Sequence, residues 1–147
     1  MATITKRGDY QYQAKVRRKG FPTQTKTFER KHDAQDWAAT VESEMRRGIF
    51  VDLSGLEQTT LKQLLERYKE LEVPKYKSAV SLLARVKTWI KHPLANRHLA
   101  SLTTMDFADH ANERLEAVTP STVRRDLMVI ASVFNMARYD YQLPIDL

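Results

Sequence analysis

The sequence predicts an α+β N-terminal domain, a three-stranded antiparallel sheet with one helix, followed by an all-α domain of four helices. Three observations carry this. Apolar residues alternate at Tyr10, Tyr12, Ala14 and Val16; Ala34, Trp37, Ala38, Val41 and Met45 recur at helical spacing; and from Thr60 onward the periodicity is helical throughout. The expected domains are 1–55 and 56–147.

A first strand is expected over Ala2 to Lys6, with Ile4 inward and Thr3 and Thr5 outward, turning at Gly8-Asp9. The second, Tyr10 to Arg18, turns Tyr10, Tyr12, Ala14 and Val16 to the core and Gln11, Gln13, Lys15 and Arg17 the other way. After a turn at Lys19-Gly20-Phe21-Pro22, Thr23 to Phe28 forms the third strand, with Thr23, Thr25 and Thr27 on one side. Three short strands need a helix over their apolar face. The Ala34 to Met45 pattern supplies it, with Trp37 as core anchor, Asp33 near its start and Arg46, Arg47 and Gly48 closing it. Arg30 is a poor capping residue for that helix.

Ile49 to Gln58 has no clear period and reads as a linker. Thr60 and Gln63 then form a capping box before Leu61, Leu64, Leu65, Tyr68 and Leu71, and Pro74 ends that helix. The next helix, about Ser78 to Lys91, sets Val80, Leu83, Val86 or Lys87, and Ile90 along its seam, and Pro93 stops it. A third begins at Thr103 with Asp106 completing a box, and buries Phe107, Ala111 and Leu115. Thr119 as N-cap and Pro120 at the first helical position open the last, which buries Val123, Leu127, Ile130, Phe134 and Ala137. Helices joined by short connections bundle.

The net charge of +6 is unevenly placed. Up to Lys31 nine Lys/Arg face only Asp9 and Glu29, and from Val73 to Met105 six Lys/Arg occur with no acid at all. An acidic-leaning stretch, Asp33 to Glu57, separates these zones. Two basic zones so divided point to a phosphate-facing surface in each half. The absence of cysteine excludes a disulfide framework or a thiolate metal site and points to the cytoplasm. No apolar run approaches the ~20 residues that span a bilayer, and Met1 to Arg7 lack the apolar stretch of a secretory signal. A soluble, unexported chain is expected, with no membrane partner.

The outward strand face, Gln11, Gln13, Lys15 and Arg17 with Thr3, Thr5 and Thr25, carries amides, hydroxyls and cations and no acid. A small sheet fits the major groove, where Gln and Arg contact base edges while Thr and Lys hold phosphate. A bland alternative is the polar face that any small antiparallel sheet shows to water. On the last helix Ser121, Thr122, Arg124 and Arg125 crowd the first turns, where free backbone N–H groups favour an anion. Arg124 and Arg125 point about 100° apart, so that one can reach DNA while the other pairs with Asp126 or Glu116. Arg85, Thr88 and Lys91 fall on one side of their helix, preceded by Lys75 and Lys77, as a phosphate-tracking edge. The partner so indicated is double-stranded DNA.

Other chemistries lack their residues. His32, His92, His98 and His110 are scattered without metal-ligand spacing, and no glycine loop cradles phosphate, so neither a metal nor another cofactor, nor a small-molecule substrate, is expected. Tyr139 and Tyr141 as nucleophiles would need a cluster of cations and a base that the residues after Tyr141 do not supply. Their rings are expected to cap the bundle.

The basic three-stranded segment ending in Thr27-Phe28, the helix with Ala34 and Trp37, and the strings Leu99-Ala-Ser-Leu-Thr-Thr-Met-Asp-Phe and Pro120-Ser-Thr-Val-Arg-Arg-Asp-Leu-Met-Val-Ile-Ala-Ser-Val-Phe-Asn-Met-Ala make the chain resemble the amino-terminal part of the phage-type tyrosine recombinases, the integrases. The resemblance covers essentially all 147 residues, and the second string is the more specific. It implies an arm-type DNA-binding domain followed by a SAM-like core-binding domain, acting in integration and excision of a mobile element beside other recombinase subunits on DNA. It also implies that the catalytic domain would begin just after Leu143-Pro144, so the chain is expected to bind DNA without cutting it. Arg30 departs from the Thr or Ser usual at that helix start. The competing expectation is a stand-alone, non-enzymatic DNA-binding regulator of a phage or mobile element.

Overall fold

The computed structural model describes residues 1–146; Leu147, the last residue of the expected second domain, lies outside the described residues. The chain divides into two compact units, Met1–Asp52 and Leu53–Leu147. A three-stranded sheet is followed by helices, and each unit has its own buried cluster.

In the first unit β1 (Ala2–Gly8), β2 (Gln11–Val16) and β3 (Gln24–Phe28) pair antiparallel in the order β1-β2-β3. Lys6 opposes Tyr12 while Gly8 opposes Gln11, so Arg7 is an extra residue that bulges from β1. The bulge delays the turn: the two-residue loop is Asp9-Tyr10 rather than Gly8-Asp9. Tyr10 therefore leaves the alternation and stands 79% exposed at the hairpin tip, against the expectation that it faces the core.

Helix α1 (Lys31–Arg47) covers the sheet. Ala34 and Ala38 meet Ala14 and Val16, all buried, because alanines let helix and strand approach closely. Met45, wholly inside, fills the gap that small residues leave. Trp37 is only half-buried, its ring 5.7 Å from Phe28, so it flanks the core it was expected to anchor. Arg30 gives no side-chain cap to α1. Gly48, at φ 71°, closes it, with Ile49 N–H donating to the Glu44 carbonyl at 3.1 Å and Gly48 N–H to Met45 at 3.3 Å, a Schellman end that favours glycine.

The second unit opens with a short helix, α2 (Ser54–Gln58), inside the expected linker; Leu56 packs on the core and gives the segment a reason to coil. Helix α3 (Leu61–Leu71) starts at the expected Thr60/Gln63 box, and its partner strand-like contact is the bridge Thr60 to His98. Leu71 is 52% exposed, because the turn at Val73–Lys75 buries Val73 in its place. Helix α4 (Ala79–Lys91) keeps Leu83, Val86 and Ile90 of the expected seam against the core, but the seam is centred on Val86 and the buried Trp89 with Leu82 beside them, and Val80 is 86% exposed. Trp89, not Val80, decides the phase, because its ring needs the core and its Nε1–H finds the Asp126 carbonyl at 2.9 Å.

Helix α5 (Thr104–Leu115) begins at the Thr103/Asp106 box and buries Phe107, but Leu115 in its last turn is exposed. The Thr119 hydroxyl caps α6 (Pro120–Asp140), accepting from Thr122 N–H. Along α6 the buried residues are Val123, Val129, Ile130, Val133, Phe134, Met136 and Ala137, a stripe wider than expected because α3, α4 and α5 all pack against it. Among the described residues no helix is long and apolar enough to cross a membrane.

Candidate nucleic-acid interface

The open face of the sheet gathers the residues singled out from the strands. Thr3, Lys15 and Thr25 align in one row, and Thr5, Gln13 and Thr27 in the next. Gln11 and Arg17 continue this side at either end of β2, Arg17 just beyond its last residue, where its carbonyl accepts from the N-terminal ammonium at 2.7 Å. That ammonium also meets Glu42 at 3.3 Å. The strands themselves place no acid on this face. At the Tyr10 end, however, Asp9 and Glu29 share a hollow with Gln11 and Thr27, so the face as a whole is not acid-free as expected. Its charge runs from cationic at Lys15 and Arg17 to acidic at the hairpin tip.

One residue of this face had not been singled out. The bulge carries Arg7 beside Gln13, and its Nε and Nη2 donate to Gln13 Oε1 at 3.2 and 3.0 Å. Nothing in the spacing of Lys6-Arg7-Gly8 marks a bulge before the strands pair.

In the second unit one carboxylate sorts the arginines around the start of α6. Asp126, 15% exposed, receives Arg85 Nη1 on one oxygen and Arg114 Nη2 on the other, each at 3.2 Å. It pairs with neither Arg124 nor Arg125, which stay exposed and form no ion pair among the described residues. Arg85 is thus turned inward and Thr88 donates its hydroxyl to the Ala84 carbonyl, so Arg85, Thr88 and Lys91 do not form the continuous edge expected; Lys91 stays exposed. Lys75 is held by Glu72 at 2.8 Å, which raises its pKa, while Lys77 is exposed. Ser121 is exposed; the Thr122 hydroxyl, 3.2 Å from that of Thr119, belongs to the cap.

Two of the expected clusters do converge. Arg125 and Arg85 line one shallow groove of about 370 Å³ with Tyr76, Ser78, Ser81 and Ser132. At its floor burial, with a hydrogen bond to Tyr76, pushes the Tyr68 phenol up to about 12, so it remains protonated.

A second groove, between α4, α5 and the start of α6, joins histidines that the sequence scatters. The Trp89 ring has His92 at 5.4 Å and His110 at 4.5 Å, and His110 Nδ1 lies 3.2 Å from His92 Nε2. His92 Nδ1 accepts from Leu94 N–H at 3.1 Å, so its proton sits on Nε2 and is donated to His110. Burial lowers the pKa of both, and the charges of His92 and Arg114 lower that of His110 further. Among the described residues no group of three or more potential metal ligands occurs. Tyr139 is 79% exposed and caps nothing, whereas Tyr141 packs on the core under the Arg67 guanidinium, 4.9 Å from its ring.

The chain is similar to two proteins of Haemophilus influenzae (strain ATCC 51907 / DSM 11121 / KW20 / Rd), each described as "putative integrase/recombinase". One is 27% identical over 96 residues, 65% of this chain and 32% of that protein; the other is 32% identical over 130 residues, 86% of this chain and 33% of that protein. These relatives support an integrase-type family. The chain spans about a third of the length of either relative. No family model matches it, and no solved structure does. The sheet face and the start of α6 described above are where exposed cations and polar side chains collect.

Proposed function

We propose that the chain is the DNA-binding part of a site-specific tyrosine recombinase, its residues 1–55 holding arm-type and its residues 56–147 core-type attachment-site DNA, with strand cutting done elsewhere in the recombinase. The observation that carries this is the sheet's open face: Gln13 and Lys15 centred between rows of threonines, Arg17 and Gln11 at the ends, and α1 covering only the opposite side. Such a face fits the major groove, where amide and guanidinium groups meet base edges and hydroxyl and ammonium groups meet phosphate. In the second unit Lys77, Lys91, Ser121, Arg124 and Arg125 are exposed around α4 and the start of α6 and would grip the backbone of the core site.

Footprinting the chain along duplexes from the two ends of the parent element tests this. Two separated protected regions per end are expected, with affinity falling steeply as salt rises. A single protected region, or affinity indifferent to salt, overturns the assignment.

A further inference from the structure

The bulge at Arg7 changes what Gln13 can read. Two guanidinium donors on Gln13 Oε1 fix the amide's orientation, because an NH₂ group turned the same way would set donor against donor. Oε1 has two lone pairs and receives two N–H groups, so the acceptor of Gln13 is occupied. Neither side chain makes another hydrogen bond among the described residues. What the pair still offers is donors alone: both hydrogens of Gln13 Nε2, and those of Arg7 Nη1 with the second on Nη2.

A glutamine by itself offers one acceptor and one donor, which suits N7 and the 6-amino group of adenine; a donor-only edge suits the adjacent acceptors N7 and O6 of guanine. We propose that Arg7 and Gln13 form one reading unit for guanine in the major groove, Gln13 orienting the guanidinium while its own amide adds a donor. This rests on the reading that the sheet's open face enters the groove. Thr5 and Thr27 flank Gln13 in the same row as exposed hydroxyls, leaving the pair room to approach a base edge.

Selection of the whole chain against a pool of randomised duplexes is the test. The expected result is a fixed guanine whose replacement by 7-deazaguanine, which lacks the N7 acceptor, weakens binding about ten-fold or more. Arg7→Ala releases Gln13 Oε1 and is expected to move the selected base from guanine to adenine; Gln13→Ala is expected to blunt the preference. If both variants select the same guanine as the unaltered chain, or 7-deazaguanine binds equally, the guanine reading is overturned. Lys15→Ala on the selected duplex separates this from the broader assignment. Where Lys15→Ala weakens binding but Arg7→Ala leaves the selected bases as they were, only the guanine reading fails. Where Lys15→Ala changes neither affinity nor its salt dependence, or the pool yields no preferred sequence, the sheet is not the reader and both fail.

Discussion

Asp126 does more in the folded chain than its position in the sequence announces. Beside Arg124 and Arg125 it invites a local pairing, yet residues one and two apart on a helix do not face each other, and the arginines it holds come from 41 and 12 residues earlier. Removing it leaves two half-buried guanidinium groups facing one another without a counter-charge. Asp126→Ala is therefore expected to lower the unfolding free energy by about 2–4 kcal/mol, read as a shift of the urea midpoint at constant slope. An unchanged midpoint would mean that solvent, not Asp126, balances these arginines. The histidine pair belongs to the same groove and was illegible for the same reason: His92 and His110 meet only once α4 and α5 have docked. Groups around them are Glu113, Arg114 and Asp126, and the net effect is a lowered pKa for both imidazoles. The sign follows. Well above the ordinary histidine pKa of about 6.5 both are neutral in folded and unfolded chains; as pH falls the unfolded chain takes up protons first, so stability is lost until the folded-state pKa values are passed. A fall in melting temperature between about pH 7.5 and 5 is expected, flattened in the His92→Gln, His110→Gln double variant; equal slopes would place the titration elsewhere.

At the scale of elements, helix starts were readable because a cap is a local device. Thr60 with Gln63 and Thr103 with Asp106 are reciprocal boxes whose partners lie three residues apart, and both form as spaced, with Gln63 Oε1 on Thr60 N–H at 2.9 Å and Asp106 Oδ2 on Thr103 N–H at 2.7 Å. Arg97, 2.8 Å from Asp106, joins that backbone N–H in lowering the carboxyl's pKa. Thr60→Ala is expected to cost about 1 kcal/mol, seen by chemical denaturation, because it orphans the Gln63 N–H; Thr60→Ser should restore most of it. Seams were harder to read than caps. In α4 the apolar residues occupy more than one face, so periodicity alone admits two phases, and what selects between them is the indole N–H of Trp89 meeting a carbonyl on α6. The hairpin failed at a single residue for a related reason: whether Arg7 bulges is settled by pairing with β2, and the one-residue slip carried Tyr10 from core to tip.

For the whole molecule, charge and periodicity disclosed a sheet unit and a helical unit in order, since each is a property of tens of residues and survives local error. Which cations remain available for a polyanion was not disclosed, because Arg85 and Arg114 are claimed by one carboxylate and Lys75 by another. That leaves Lys15 on the sheet and Arg124 on α6 as one exposed or half-exposed cation from each unit on which the proposal of two DNA grips can be weighed. Each phosphate contact contributes roughly one to the slope of log affinity against log salt. On a duplex spanning both kinds of site, Lys15→Ala and Arg124→Ala are each expected to flatten the slope by about one, and the double variant by about two, because counterions released at separate places on one duplex add. A double variant no flatter than either single would mean that only one of the two faces meets DNA at a time, and the chain would then be a one-handed binder whose second basic zone serves another surface.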